Sequence, residues 1–286
     1  MTDVRFENVT FGYGDEPVFE DVNINFCGSG LTCILGPNGV GKSTLMYTIN
    51  KILEPTEGRV LIDGEDVEEM PFKDIAKKVA YVPQSSGETF AMTVMDTVLM
   101  GRYPHSGYTV TKEDLEIAAD CLMKVHMGDY AMSMFNELSA GQHQRVMVAR
   151  GLAQEPELLM LDEPTSNLDI YHQISTMRLL RDIAHRRGII VLVICHDLNV
   201  ASRFSDRMIM FSQGRIYADG TPEQVITPET IHNVYRVNAD VTTVQNRPYV
   251  IYYAEEENDN ALHSERYANT TKETIVDGAE QLRTEF

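Results

Sequence analysis

No stretch of this 286-residue chain is apolar for long enough to cross a membrane as a helix. The longest apolar run, Ile189–Cys195, falls far short of the ~20 residues a span requires. Positive charge is also scarce: 24 Lys and Arg stand against 43 Asp and Glu, giving a net charge of −19. That balance argues against a broad nucleic-acid surface, which needs an excess of basic groups, and describes a solvated acidic exterior instead. Cysteine occurs only at Cys27, Cys33, Cys121 and Cys195, with no C-x-x-C pair, so neither a disulfide framework nor a zinc site is indicated. Cys33 and Cys195 sit in apolar, strand-like runs and are expected to be small buried hydrophobes. The opening residues Met1-Thr2-Asp3-Val4-Arg5 lack the apolar segment of a secretory signal. A soluble, cytoplasmic protein is expected, with any membrane link made through a partner.

The most informative segment is Gly36-Pro37-Asn38-Gly39-Val40-Gly41-Lys42-Ser43, followed by Thr44, which matches the phosphate-loop pattern G-x-x-x-x-G-K-[ST]. The apolar run Leu31–Leu35 leads into it, and Thr44–Leu53 follows with Leu45, Ile49, Ile52 and Leu53 at helical spacing. Strand, glycine loop and helix are the context the motif needs. The glycines let successive backbone N–H groups turn toward a polyphosphate, and the helix N-terminus adds partial positive charge. In such a loop Lys42 reaches the β- and γ-phosphates, and the Ser43 hydroxyl binds Mg²⁺.

The alternating segments Val4–Val9 and Val22–Phe26 predict an N-terminal β region. Gly58–Ile62 reads as a strand ending at an Asp63-Gly64 turn, and Val79–Val82 as a short buried strand. Residues 88–150 change character: they are methionine-rich and helical in period, which predicts an inserted helical subdomain. Within it Thr111 and Asp114 form a capping-box pattern, followed by a stripe of Leu115, Ala118, Ala119 and Leu122. Leu158–Leu161 and Ile189–Ile194 are continuous apolar runs of the kind found in parallel strands covered on both faces. Met208–Phe211 and Arg215–Tyr217 read as a hairpin. Residues 220–253 carry no clear pattern, and residues 255–286 hold nine acidic and three basic side chains with little periodicity. A domain over residues 1–254 with a flexible acidic tail is the expected organisation.

A second nucleotide element, Leu158-Leu159-Met160-Leu161-Asp162-Glu163, is a buried strand ending in carboxylates. Asp162 is placed to hold Mg²⁺, and Glu163 to orient a water for in-line attack on a γ-phosphate. Between these elements, Leu138-Ser139-Ala140-Gly141-Gln142 contains an S-x-x-Q capping box, so a helix whose free N–H groups form an anion site should start there. This segment resembles the LSGGQ signature of ATP-binding cassette (ABC) ATPases, with Ala140 where the family has Gly. Four further segments match in the family's order. Gln84 resembles the Q-loop glutamine, which contacts Mg²⁺ and the attacking water. His196 resembles the switch histidine, which contacts the γ-phosphate and steadies Glu163. Ser166–Asp169 resembles the D-loop, and Tyr13 the aromatic that stacks on adenine.

The resemblance covers residues 2–253 and implies an α/β fold: a P-loop NTPase (RecA-like) core with an N-terminal antiparallel β subdomain and an inserted α-helical subdomain. It implies ATP and Mg²⁺ as cofactors and a head-to-tail homodimer sandwiching two ATP molecules. Each site then takes Lys42, Ser43, Gln84, Asp162, Glu163 and His196 from one chain and Ser139, Gly141 and Gln142 from the other. It also implies an integral membrane permease as partner, with an external substrate-binding protein beyond it and no nucleic acid. The subunit would lie at the cytoplasmic face of the membrane. Phe90, Met92, Met95, Leu99, Met100 and Tyr103 supply a flexible apolar surface where transporters receive the permease. The segments Thr93–His105 and Leu168–Gln173 resemble importers of iron chelates, haem and cobalamin. A soluble ABC ATPase acting on DNA or ribosomes, or a P-loop kinase, are the competing readings. The first lacks its usual long insertions or fused second cassette here, and the second has no use for residues 138–142.

Overall fold

The computed structural model describes residues 2–14, 16–84, 92–106 and 109–253. In chain order the elements are β1 (Asp3–Gly12), β2 (Pro17–Cys27), β3 (Gly30–Leu35), α1 (Lys42–Ile49), β4 (Glu57–Ile62), β5 (Glu65–Asp66), α2 (Phe72–Lys78) and β6 (Val79–Val82). Then come α3 (Val94–Leu99), α4 (Tyr103–Ser106), α5 (Lys112–Lys124), α6 (Ala140–Ala153), β7 (Leu158–Asp162), α7 (Ile170–Arg187), β8 (Ile190–Ile194) and α8 (Leu198–Phe204). The described chain closes with β9 (Arg207–Ser212), β10 (Arg215–Gly220), α9 (Pro222–Val225), α10 (Pro228–Tyr235), β11 (Ala239–Val244) and β12 (Arg247–Tyr252).

Three sheets organise these elements. The first is antiparallel, in order β2-β1-β4-β5. The second has six strands in order β10-β9-β3-β8-β7-β6, parallel from β9 to β6 with β10 added antiparallel at the edge. The third is the β11–β12 pair. The six-stranded sheet is the centre of the fold, because β7 and β8 are apolar at every position but the last of β7 and are buried throughout. Side-chain alternation divides its core in two. Leu158, Met160, Leu192, Ile194 and Ile34 face the antiparallel sheet and α1. Leu159, Leu161, Val191, Val193 and Cys33 face α5, α6, α7 and α8. Cys33 and Cys195 are buried in this second layer, as their apolar surroundings indicate; Cys121 is buried as well and Cys27 is exposed.

Several local readings change. The helix after the phosphate loop stops at Ile49, not Leu53. Lys51 adopts a left-handed φ of 58°, and the N–H groups of Ile52 and Leu53 both turn back to the Tyr47 carbonyl, leaving Ile52 exposed. The inward stripe of α5 is Asp114, Ala118, Cys121 and Leu122, while Leu115 is 44% exposed. The stripe rotates because Asp114 is drawn inward by the buried Arg102 guanidinium, at 2.9 Å from its Nε. The patternless stretch after residue 220 forms two helices and a hairpin. Thr221-Pro222 and Thr227-Pro228 start the helices, a cap-then-proline signal that was legible. Gln245 and Asn246, both at positive φ, turn β11 into β12. Residues through Ile251 form one compact unit; of a second unit, Tyr252–Phe286, only Tyr252 and Tyr253 are described, so the acidic tail and Phe90 lie outside the described residues.

Candidate active site

Parallel strands place their functional residues at one edge of the sheet, beyond the strands' carboxyl ends, where ligands bind in open α/β folds. The phosphate loop leaves β3, Gln84 lies two residues past β6, Asp162 ends β7 and His196 lies two residues past β8. The loop itself tolerates little change. At Gly36, φ is 143° and a Cβ would sit 2.0 Å from the Phe211 carbonyl oxygen on β9. At Gly41, which caps α1 with φ 99°, a Cβ would sit 2.8 Å from Val18. Lys42 is buried, and its ammonium donates to the carbonyls of Gly36 (2.8 Å) and Pro37 (2.7 Å). Burial lowers its pKa below the ordinary lysine value, against the opposing pull of Glu163 and Asp162. Asn38, Gly39, Gly41, Lys42, Ser43 and Thr44 line an open cavity of about 310 Å³ together with Tyr13 and Glu163. Gly36, Pro37 and Val40 shape the loop without lining that cavity, Val40 packing against the core.

Glu163 is the hub of the second cluster. Its backbone is left-handed (φ 46°), an uncommon state for a residue with a long side chain and one that turns the carboxylate away from the line of β7. Gln84 Nε2 donates to its Oε2 at 2.9 Å and to the Ser166 hydroxyl at 3.3 Å. His196 Nε2 makes a close contact with the other carboxylate oxygen, Oε1. Both oxygens of Glu163 are thus held by side chains from neighbouring strands. Asp162, one residue earlier, is buried. Burial raises its pKa above the usual carboxylate range, as does the charge on Glu163, while hydrogen bonds from Ser43 and Tyr81 and the charge on Lys42 oppose the rise.

The segment at Ser139 folds as its local pattern dictates. The Gln142 backbone N–H donates to the Ser139 hydroxyl (3.4 Å), and Gln142 Oε1 accepts from the Ser139 N–H (2.9 Å), so the Gln142 side chain is engaged in the cap of α6. Ala140 is exposed at the first helical position, where helical φ accommodates its methyl. Gly141 is buried under the imidazole of His172, and a Cβ there would lie 2.6 Å from that ring. His172 is in turn bonded through Nδ1 to Asp169 at 2.8 Å, which links the segment 166–169 to α6 within one chain. None of residues 139–142 lines the phosphate-loop cavity.

The ABC transporter family profile matches residues 19–166, from within β2 to just beyond Glu163. The chain is 43% identical to an ABC transporter ATP-binding protein of Methanocaldococcus jannaschii over 86% of its own length and 96% of that protein's. The chain belongs to the ABC transporter ATP-binding family. It is 38% identical to the iron(3+)-hydroxamate import ATP-binding protein FhuC of Bacillus subtilis, covering 88% of this chain and 96% of that one. It is 36% identical to the ferric enterobactin transport ATP-binding protein FepC of Escherichia coli (81% and 86% covered). An inward-facing ABC transporter described as of metal-chelate type superposes with a TM-score of 0.77 at 25% identity, covering 89% of this chain and 98% of that one. The dimeric structure of a bacterial ABC transporter cassette superposes with a TM-score of 0.66 at 30% identity, covering 76% and 98%. The chain is therefore an ATPase of the transport-coupled ABC class, in a family that binds ATP with Mg²⁺.

Two residues of this ABC subunit's site were not singled out in its sequence. The Tyr81 hydroxyl lies 3.3 Å from Asp162 Oδ2 and 3.3 Å from the Tyr47 hydroxyl, and burial raises its pKa well above the ordinary tyrosine value, keeping it a donor. Tyr47 comes from α1 and Tyr81 from β6, so their meeting at Asp162 depends on tertiary packing. The one local signal was Tyr81 itself, three residues before Gln84 and on the partner strand to Met160.

Proposed function

We propose that this chain is the ATP-hydrolysing motor of an importer that takes up a metal chelate (an iron-siderophore, haem or cobalamin) through a membrane permease. The observation that carries the catalytic reading is the clamp on Glu163, which fixes one carboxylate between Gln84 and His196 beside the phosphate-loop cavity. In this reading Tyr13 stacks on adenine, the backbone N–H groups of residues 36–44 hold the phosphates, and Lys42 exchanges its carbonyl partners for phosphate oxygens. Ser43, Gln84 and Asp162 are oxygen donors that would hold a hard divalent cation such as Mg²⁺, which would offset phosphate charge there. Glu163 takes the proton of the attacking water as general base, and His196 steadies Glu163.

Ser139, Gly141 and Gln142 do not line their own chain's cavity, which supports a role at the site of a second copy in a head-to-tail dimer. The dimeric relative is consistent with that arrangement. The permease would dock on the exposed Met100 and Tyr103 beside the partly buried Met95 and Leu99, holding the subunit at the cytoplasmic face of the membrane. The relatives named for iron(3+)-hydroxamate and ferric enterobactin support the choice of cargo class. The test is Glu163→Gln, expected to trap an ATP-bound dimer with turnover reduced by ~100-fold or more, as loss of a general base implies. Wild-type turnover in that variant removes Glu163 from the role. Absence of any polytopic protein copurifying from native membranes removes the transporter reading.

A further inference from the structure

Basic side chains are the minority in this protein, yet four arginines line one cleft away from the active site. Arg178 and Arg181 project from α7, Arg203 from α8 and Arg247 from the β11–β12 hairpin, around a cleft of about 760 Å³ that shares no residue with the phosphate-loop cavity. Among its described lining residues Asp182 is the single acid, and Asp182 is paired with Arg186 at 3.8 Å. Arg247 has Glu223 at 3.6 Å and His185 has Asp206 at 2.8 Å, whereas the Arg178 and Arg181 guanidinium groups have no ion-pair or hydrogen-bond partner among the described residues.

The cleft is a built feature. Asn199 on α8 clamps β12 in both directions, accepting from the Val250 N–H (2.7 Å) and donating to its carbonyl (3.1 Å). Buried Ser202 donates to the Pro248 carbonyl at 2.7 Å. These bonds fix the wall that carries Arg247 against the helix that carries Arg203. With one acid among its described lining residues, the cleft presents a local excess of positive charge on an otherwise acidic chain, which favours an anion there. Guanidinium forks match phosphate bidentately, and the cleft has the volume of a small-molecule pocket.

We propose that this cleft binds a small anion carrying two or more phosphate groups, at a site distinct from the nucleotide site. The exposed ring of Tyr249 supplies an apolar wall for the rest of the molecule. The helices that line the cleft are capped at their N-termini by Asp169 and Asp197.

The test uses the full chain carrying Lys42→Ala, which silences the phosphate loop as a competing site, and titrates inorganic tripolyphosphate by calorimetry. One saturable site is expected. Its affinity should fall roughly tenfold or more when Arg178→Gln and Arg181→Gln are added, since two charge-assisted contacts are lost. Those side chains have no partner to lose among the described residues, so the melting temperature should be unchanged. If the double change does unfold the chain, Arg203→Gln, which gives up only its contact with Gln245, serves as the second variant. Affinity that ignores the arginine changes overturns the proposal. So does a peptide copying residues 254–265 that displaces tripolyphosphate at lower concentration than tripolyphosphate itself binds, because the cleft then takes an acidic polypeptide.

Discussion

Replacing Asp114 by alanine should strongly destabilise the fold, although no nucleotide-binding role is assigned to Asp114. Its carboxylate does two jobs. Oδ2 accepts from the Thr111 N–H (2.9 Å) and hydroxyl (2.7 Å), closing the capping box of α5. Oδ1 accepts from Arg102 Nε at 2.9 Å, in a pair whose side chains are only 6% and 4% exposed. Removing one partner of a buried pair costs about 3–5 kcal/mol, because the other charge stays buried. Arg102 keeps Glu155 at 2.7 Å and the Ala153 carbonyl at 2.6 Å, and Glu155 is half exposed, so the lower end, about 3 kcal/mol, applies. Loss of the cap adds about 1 kcal/mol. The sum, about 4 kcal/mol, is a large part of a typical folding margin of about 5–15 kcal/mol. Urea unfolding followed by circular dichroism measures it. Arg102→Met with Asp114→Leu removes both charges and should recover part of the loss, leaving about 1 kcal/mol for the cap and about 1 kcal/mol for the buried Ala153 carbonyl that loses its donor. A cost below about 1 kcal/mol for Asp114→Ala, or a double variant no better than the single, would refute the buried-charge argument.

Tyr81→Phe removes the hydroxyl between Tyr47 and Asp162. If Asp162 holds Mg²⁺ as proposed, turnover at saturating Mg²⁺ should change little while the Mg²⁺ requirement rises about tenfold, the scale of losing a partner of a ligating carboxylate; an unchanged Mg²⁺ titration counts against Tyr81 as a positioning residue. Asp162→Asn tests the direction of the Asp162 shift. A carboxyl whose folded pKa is raised above its unfolded value destabilises the fold while ionised, and that penalty is relieved as pH falls through the raised value. The nucleotide-free Asn variant should therefore melt above wild type at alkaline pH, and the gap should narrow as pH falls. A gap that does not depend on pH refutes burial as the dominant cause.

What could be read directly was whatever a few neighbouring residues decide. Ser139 with Gln142, and Thr111 with Asp114, form their capping boxes because each needs only one helical turn. The phosphate loop, the buried strand ending at Asp162-Glu163 and the position of His196 after an apolar run are likewise legible, since glycine spacing and hydrophobic runs are local properties. Helical periodicity, by contrast, identifies a stripe without saying what lies opposite. It named Leu115 as inward, and the position of Arg102 on a different segment turned Asp114 inward instead. The helix after the loop could not be seen to stop at Ile49, because the stop lies in the left-handed turn at Lys51, a residue with no special preference for it.

By itself the order of residues made the local pieces legible: a glycine loop between a strand and a helix, a carboxylate pair at a strand end and a capped helix start at Ser139. Only the folded chain decided which groups meet. The contacts of Gln84 and His196 with Glu163, of Tyr47 and Tyr81 at Asp162, of His172 over Gly141, and of four arginines around one cleft join residues from different strands and helices. Such contacts are set by sheet order and register and by the packing of two core layers, and no short window of sequence contains that information.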